Sequence, residues 1–143
     1  MLYDAVDDPA RLTPVELREA YEAQLRAVVS AHGVKQVADD TDVDADLLEA
    51  LIEGAVPQLR VEDAASILAL DEERPDAEAI LLELRDHLLM AMTTGVVDVD
   101  TIASNVDLDL SGQEIQQVLE GRTAMTLAQL AAIQQYLAER NDR

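Results

Sequence analysis

An all-α fold is predicted by three observations. Apolar residues recur at spacings of three and four along most of the chain. Helix-opening and helix-closing residues bracket each of those stretches. No segment reads as a strand with a partner, since the β-prone Val96-Val97-Asp98-Val99 is only four residues long. About eight helices are expected, arranged as a duplicated four-helix unit.

Thr13-Pro14-Val15-Glu16 opens the first helix, with Thr13 as cap, Pro14 in the first turn and Glu16 completing a capping box. Leu17, Tyr21, Leu25, Val28 and Val29 form its stripe, and Gly33 follows His32 as the natural terminator. A short helix carries Val34, Val37 and Ala38. Asp44 caps a third, with Leu47, Leu48, Leu51 and Ile52 inward and Gly54 at its end. Pro57 breaks the chain before a fourth built on Val61, Ala64, Ala65, Ile67 and Leu68.

The same order then recurs. Pro75-Asp76 opens a long helix bearing Ile80, Leu81, Leu84, Leu88, Leu89 and Met92, closed by Gly95. A short helix near 99–105 follows, then one capped by Ser111 with Ile115, Val118 and Leu119 inward and Gly121 at its end. Thr126 caps the last, with Leu127, Leu130, Ile133 and Leu137 buried. The halves align as Gly33/Gly95, Val37/Ile102, Val43/Leu110, Gly54/Gly121, Val61/Leu127 and Ile67/Ile133. Two units are therefore expected, 1–74 and 75–143, as one compact domain sharing a core.

Charge limits what this surface can do. Ten Lys+Arg face 30 Asp+Glu, for a formal net charge of −20, and the only lysine is Lys35. With 49% apolar residues the chain has enough to bury a core. Cysteine is absent, which excludes disulfides and thiolate chemistry. The first eight residues hold no basic region and no apolar stretch, so no signal peptide is expected. The apolar runs 79–82 and 88–92 are too short to span a bilayer, and a cytoplasmic protein without membrane association is expected. An acidic coat, scarce lysine and a core without Phe or Trp resemble the composition of haloarchaeal cytosolic proteins.

Segments 34–70 and 98–137 resemble the phage-repressor (λ-repressor/Cro) class of helix-turn-helix. Val37-Ala38, Val43, Asp44, Leu48, Leu51, Glu53-Gly54 and the stretch 61–70 carry the resemblance in the first half. It implies a reading helix in each half. Asp42 stands where that class usually has glycine, and Ile102 and Leu110 lie eight residues apart where the class has six. The first reading helix bears Asp44, Asp46, Glu49 and Glu53 and no basic residue, a poor match to a polyanion that is bound by releasing counterions to Lys and Arg. In the second, Ser111 to Arg122, the side chains suited to base edges or phosphates are Gln113, Gln116, Gln117 and Arg122. The same glutamines also fit a solvated face beside Glu114 and Glu120.

Other constellations carry less. Asp42, Asp44, Asp46 and Glu53 outline a calcium loop, but Leu47 occupies the position that needs glycine. His32 and His87, placed near helix ends, lack a third ligand, so no metal is expected. Tyr3, Tyr21 and Tyr136 read as core-edge residues. No phosphate loop or nucleophile motif is present, which predicts no enzyme and no cofactor. The helix from Asp76 to Met92 is apolar nearly all round, as a central spine or a homodimer face would be. The chain as a whole resembles small haloarchaeal proteins of unknown function. Together these expectations describe a non-enzymatic regulatory or adaptor protein that contacts another protein in a high-salt cytosol. The alternatives are a DNA-binding transcription regulator reading through Ser111 to Arg122, and a nucleic-acid mimic.

Overall fold

The computed structural model describes residues 2–55 and 58–142. Among them are eight α-helices: α1 Pro14–His32, α2 Val34–Asp40, α3 Ala45–Ile52, α4 Val61–Leu68, α5 Ala77–Gly95, α6 Val99–Asn105, α7 Gly112–Leu119 and α8 Leu127–Asn141. Two short 3-10 turns, Leu2–Asp4 and Pro9–Arg11, precede them. The only β pairing among the described residues is an isolated bridge between Arg60 and Thr126. The break expected at Pro57 lies outside the described residues.

Local chemistry places the helix starts. Thr13, Ser111 and Thr126 form capping boxes with Glu16, Glu114 and Gln129, each satisfying two backbone N–H groups. Asp44, Asp76 and Asp98 cap α3, α5 and α6 through their carboxylates. At the ends of α3 and α7, Gly54 and Gly121 both take φ +78°, the left-handed geometry that lets an L-chain stop a helix cheaply. Beyond α7 the amide of Arg122 donates to the carbonyl of Gln117 at 2.9 Å, and that of Gly121 to Val118 at 3.2 Å.

Gly95 behaves differently from the expected terminator. It lies within α5, and the left-handed residue is Val96, at φ 53°. Space explains the glycine: a Cβ at Gly95 would stand 2.7 Å from Asn141 Oδ1 and 3.1 Å from Arg140 Cγ, where the end of α8 crosses α5. That crossing is pinned by Arg140 Nε donating to the carbonyl of Gly95 and Asn141 Nδ2 to that of Ala91.

Packing joins the two ends of the chain. α1 lies along α8, α5 packs between α4 and α8, and α2 and α6 pack on α3 and α7 respectively. The buried apolar residues form one contiguous cluster, running from Leu2 through Leu17, Leu51 and Ile67 to Leu88, Ile115 and Leu137. Tyr21 departs from the expected core-edge position: it is fully buried, and its hydroxyl donates to Gln134 Oε1 on α8. Gln134 is itself buried, and its Nε2 donates to the carbonyl of Tyr3 at 2.8 Å, tying the N-terminal turn to the α1–α8 pair. His87 lies mid-helix on α5 and not near an end, its ring stacked on Tyr3.

No helix among the described residues is long and apolar enough to cross a membrane. No group of three His, Asp or Glu among them is placed to hold a metal ion.

Candidate functional site

α7 presents the side chains that the resemblance to helix-turn-helix proteins singled out. Ile115, Val118 and Leu119 are buried, which turns Gln113 and Gln116 outward and leaves Gln117 half-buried. Between α6 and α7 the chain spends residues 106–111 on the turn, against 41–44 between α2 and α3, and Asp109 takes φ 52° there. Glu120 organises the outer end of α7. Its Oε1 accepts from Gln116 Nε2 at 3.0 Å, and its Oε2 pairs with Arg122 Nε at 3.1 Å. Two of the four side chains suited to nucleic acid, Gln116 and Arg122, therefore already serve one carboxylate.

Three other arginines lie apart from one another. Arg60 pairs with Asp63, Arg85 reaches Gly121 in a cleft that it shares with Glu62, and Arg140 donates to Gly95. Arg143 lies outside the described residues. On α3 the matching outer face carries Asp44, Asp46, Glu49 and Glu53, all exposed. These groups assemble no concentration of positive charge.

α5 offers a different surface. Ile80, Leu84 and Leu88 are buried against the core, so Leu82 and Leu89, about two turns apart, fall on the opposite side. Leu82 is 52% exposed, Leu89 49% and Met90 70%. The breadth read from the sequence is thus not burial all round: one face is a spine and the other meets solvent. At its C-terminal end this face runs into an open trough of about 570 Å³, lined by Leu89, Met92, Val96 and Val99 and bordered by Asp98. Val96 projects there at 85% exposure.

Two features make that trough unusual. A β-branched residue in the left-handed region is strained, and such strain is concentrated where function needs it. One acidic residue, Asp98, lines the trough, and Glu78, Glu83 and Asp86 are exposed elsewhere along α5. Asp98 Oδ1 accepts from both the amide and the hydroxyl of Thr101 at 2.8 Å, and these bonds hold its carboxyl below the usual carboxylate range. Periodicity placed Leu82, Leu89 and Met90 on α5 but did not say which face would stay uncovered. The strain at Val96 was not legible, because Gly95 supplied the obvious terminator.

Compared with known proteins, residues 17–140 match the profile of a family of unknown function (DUF5791). No curated protein and no solved structure matches the chain.

Proposed function

Since the chain belongs to the DUF5791 family, whose function is unknown, the reading rests on its own surface, and we propose a non-enzymatic adaptor or regulatory protein that docks another protein on the outer face of α5. The observation that carries this reading is the uncovered apolar face of Leu82, Leu89 and Met90, continuous with the trough at Val96. Large side chains grouped on one solvent-facing helix surface mark interaction sites. The partner is a protein presenting an apolar face with Lys or Arg at its edge, because Asp98 lines the trough and Glu78 and Asp86 are exposed on α5. A second copy brings the same carboxylates to the interface, which disfavours a homodimer through α5. DNA reading through α7 is disfavoured by the engagement of Gln116 and Arg122 with Glu120. A cytosol of high salt suits the net charge of −20.

The test is site-specific photocrosslinking in the native cytosol, with the crosslinker at Leu89 and, as control, at Val15, an apolar α1 residue that is 56% exposed. A discrete adduct with one basic protein, formed from position 89 and not from 15, is the expected outcome. Equal labelling from both positions, or an adduct with the mass of two copies of this chain, overturns the reading.

A further inference from the structure

Most arginines of this chain have an acceptor. Arg11, Arg60, Arg74 and Arg122 each pair with a carboxylate two or three residues away, and Arg26 and Arg140 each donate to a carbonyl. Arg85, half-buried on α5, has neither kind of acceptor among the described residues. Its guanidinium lies across Gly121 at the end of α7, where a Cβ would stand 2.6 Å from Arg85 Cζ. The matching end of α3 shows that helix termination does not require this placement. Gly54 has the same φ of +78° and nothing within 4 Å of the equivalent point. The arginine at that end, Arg26, donates to the Leu51 carbonyl in the last turn of α3 at 3.4 Å. In the first half the guanidinium is thus engaged by a carbonyl, and in the second it is left open.

Arg85 opens into a cleft of about 210 Å³ that it lines with Glu62, Leu81 and Thr123. Leu81 is half-buried and Glu62 and Thr123 are exposed, so all four side chains present surface to an incoming molecule. The Thr123 hydroxyl also has no partner among the described residues. Charge and size select the ligand. A cation is repelled by the guanidinium, whose planar fork matches a carboxylate with two parallel hydrogen bonds. The hydroxyl of Thr123 supplies a further donor. Glu62, in the same cleft, repels additional negative charge, which favours a monoanion over a dianion or a polyanion. The volume lies below the roughly 300–1,000 Å³ of ordinary ligand sites, which keeps the body of the ligand short. We propose that this cleft binds a short-chain monocarboxylate, its carboxylate on Arg85 and Thr123 and its alkyl part against Leu81.

The experiment titrates the whole protein with propionate, its neutral isostere propionamide and the dianion malonate. Molar KCl screens the net charge of −20. The readout is the backbone amide NMR signals of Gly121 and Thr123. Propionate is expected to shift them saturably and several-fold more tightly than malonate, and propionamide not at all. Arg85→Lys keeps the charge but lacks the fork, and should weaken propionate about tenfold, the loss of one charge-assisted hydrogen bond. Glu62 is exposed, so Glu62→Gln keeps the fold should Arg85→Lys fail to. It is expected to tighten propionate and to narrow its lead over malonate. No saturable shift with propionate, equal affinity for propionate and propionamide, or a lead over malonate unchanged by Glu62→Gln overturns the proposal. The titration contains no partner protein, so its outcome is independent of the crosslinking at Leu89.

Discussion

Val61 and Leu127, the first residues of α4 and α8, are held in one two-bond bridge. The amide of Val61 donates to the carbonyl of Met125 at 2.7 Å, and that of Leu127 to the carbonyl of Leu59 at 3.0 Å. Amides at the start of a helix have no partner within the helix. Here the two halves of the chain satisfy each other, and the four residues are all buried. Native-state hydrogen exchange checks the consequence. The amides of Val61 and Leu127 are expected to exchange only with global unfolding, while an ordinary first-turn amide such as that of Ala45 exchanges much faster. Fast exchange at either position means that the halves open independently.

Much of this was legible. Capping residues at Thr13, Asp44, Asp76, Ser111 and Thr126 fixed where helices begin, because that chemistry is local. Spacing also pairs Val61 with Leu127, and each is the first residue of a helix. What periodicity does not contain is which partner covers a face. Tyr21 was placed at the core edge, since nothing local announces that Gln134, 113 residues away, accepts its hydroxyl. The same limit hid the exposure of Leu82 and Leu89 and the stacking of His87 on Tyr3. Gly95 misled for a related reason: glycine is needed there by a helix crossing, not by its own backbone angle.

Val96 should be a site where stability rises when the residue is lost. An L-residue in left-handed geometry costs about 1–2 kcal/mol, and Val96 at φ 53° is exposed enough to contribute little packing in return. Val96→Gly is expected to stabilise the fold by about 1 kcal/mol, after the extra chain entropy of glycine is subtracted. Chemical denaturation of the two proteins measures it. If the trough is a docking surface, the same variant also weakens crosslinking from position 89. A destabilised Val96→Gly refutes the strain argument.

Glu22 is buried on α1, and its Oε2 has no hydrogen-bond partner among the described residues. Burial raises its pKa, with Arg18 and Arg26 pulling the other way. A carboxyl whose folded pKa lies above its unfolded value favours folding most when protonated. Its contribution therefore falls as pH rises from about 4.3 through the raised folded value. Glu22→Gln is uncharged throughout and escapes that loss. Denaturation midpoints in molar KCl should show the variant gaining on the wild type as pH rises from about 4.3 through the raised folded value, then holding a constant lead. Parallel curves mean that the arginines neutralise Glu22 fully.

Salt should stabilise the whole protein. The ion pairs Arg11–Asp8, Arg60–Asp63, Arg74–Asp71 and Arg122–Glu120 each join residues two or three apart, so screening them disconnects no two helices. Pairs of this exposed kind contribute little in any case. The net charge of −20, by contrast, repels across the molecule. Raising KCl from 0.1 M to 1 M shortens the screening length from about 10 Å to about 3 Å. The Tm is expected to climb by several degrees over that range. A Tm that stays level counts against repulsion as a dominant cost.

The standing of α7 as a DNA reader turns on Glu120. Its two oxygens take the donors of Gln116 and Arg122, so contacting a base or phosphate first requires breaking those bonds and bringing a polyanion up to a carboxylate. Replacing Gln116, Gln117 and Arg122 with Ala is therefore expected to leave association with genomic DNA fragments in high KCl at background, as in the wild type. Direct readout predicts otherwise: about 1–3 kcal/mol lost per good base contact, and a salt slope reduced by roughly one for an arginine–phosphate contact. Glu120→Gln sharpens the comparison, because it removes the repelling charge while keeping an acceptor for Gln116. If that variant acquires sequence-selective binding which the triple Ala substitution abolishes, α7 retains a reading surface restrained by one carboxylate. If the wild type already shows such binding, the adaptor reading gives way to the regulator.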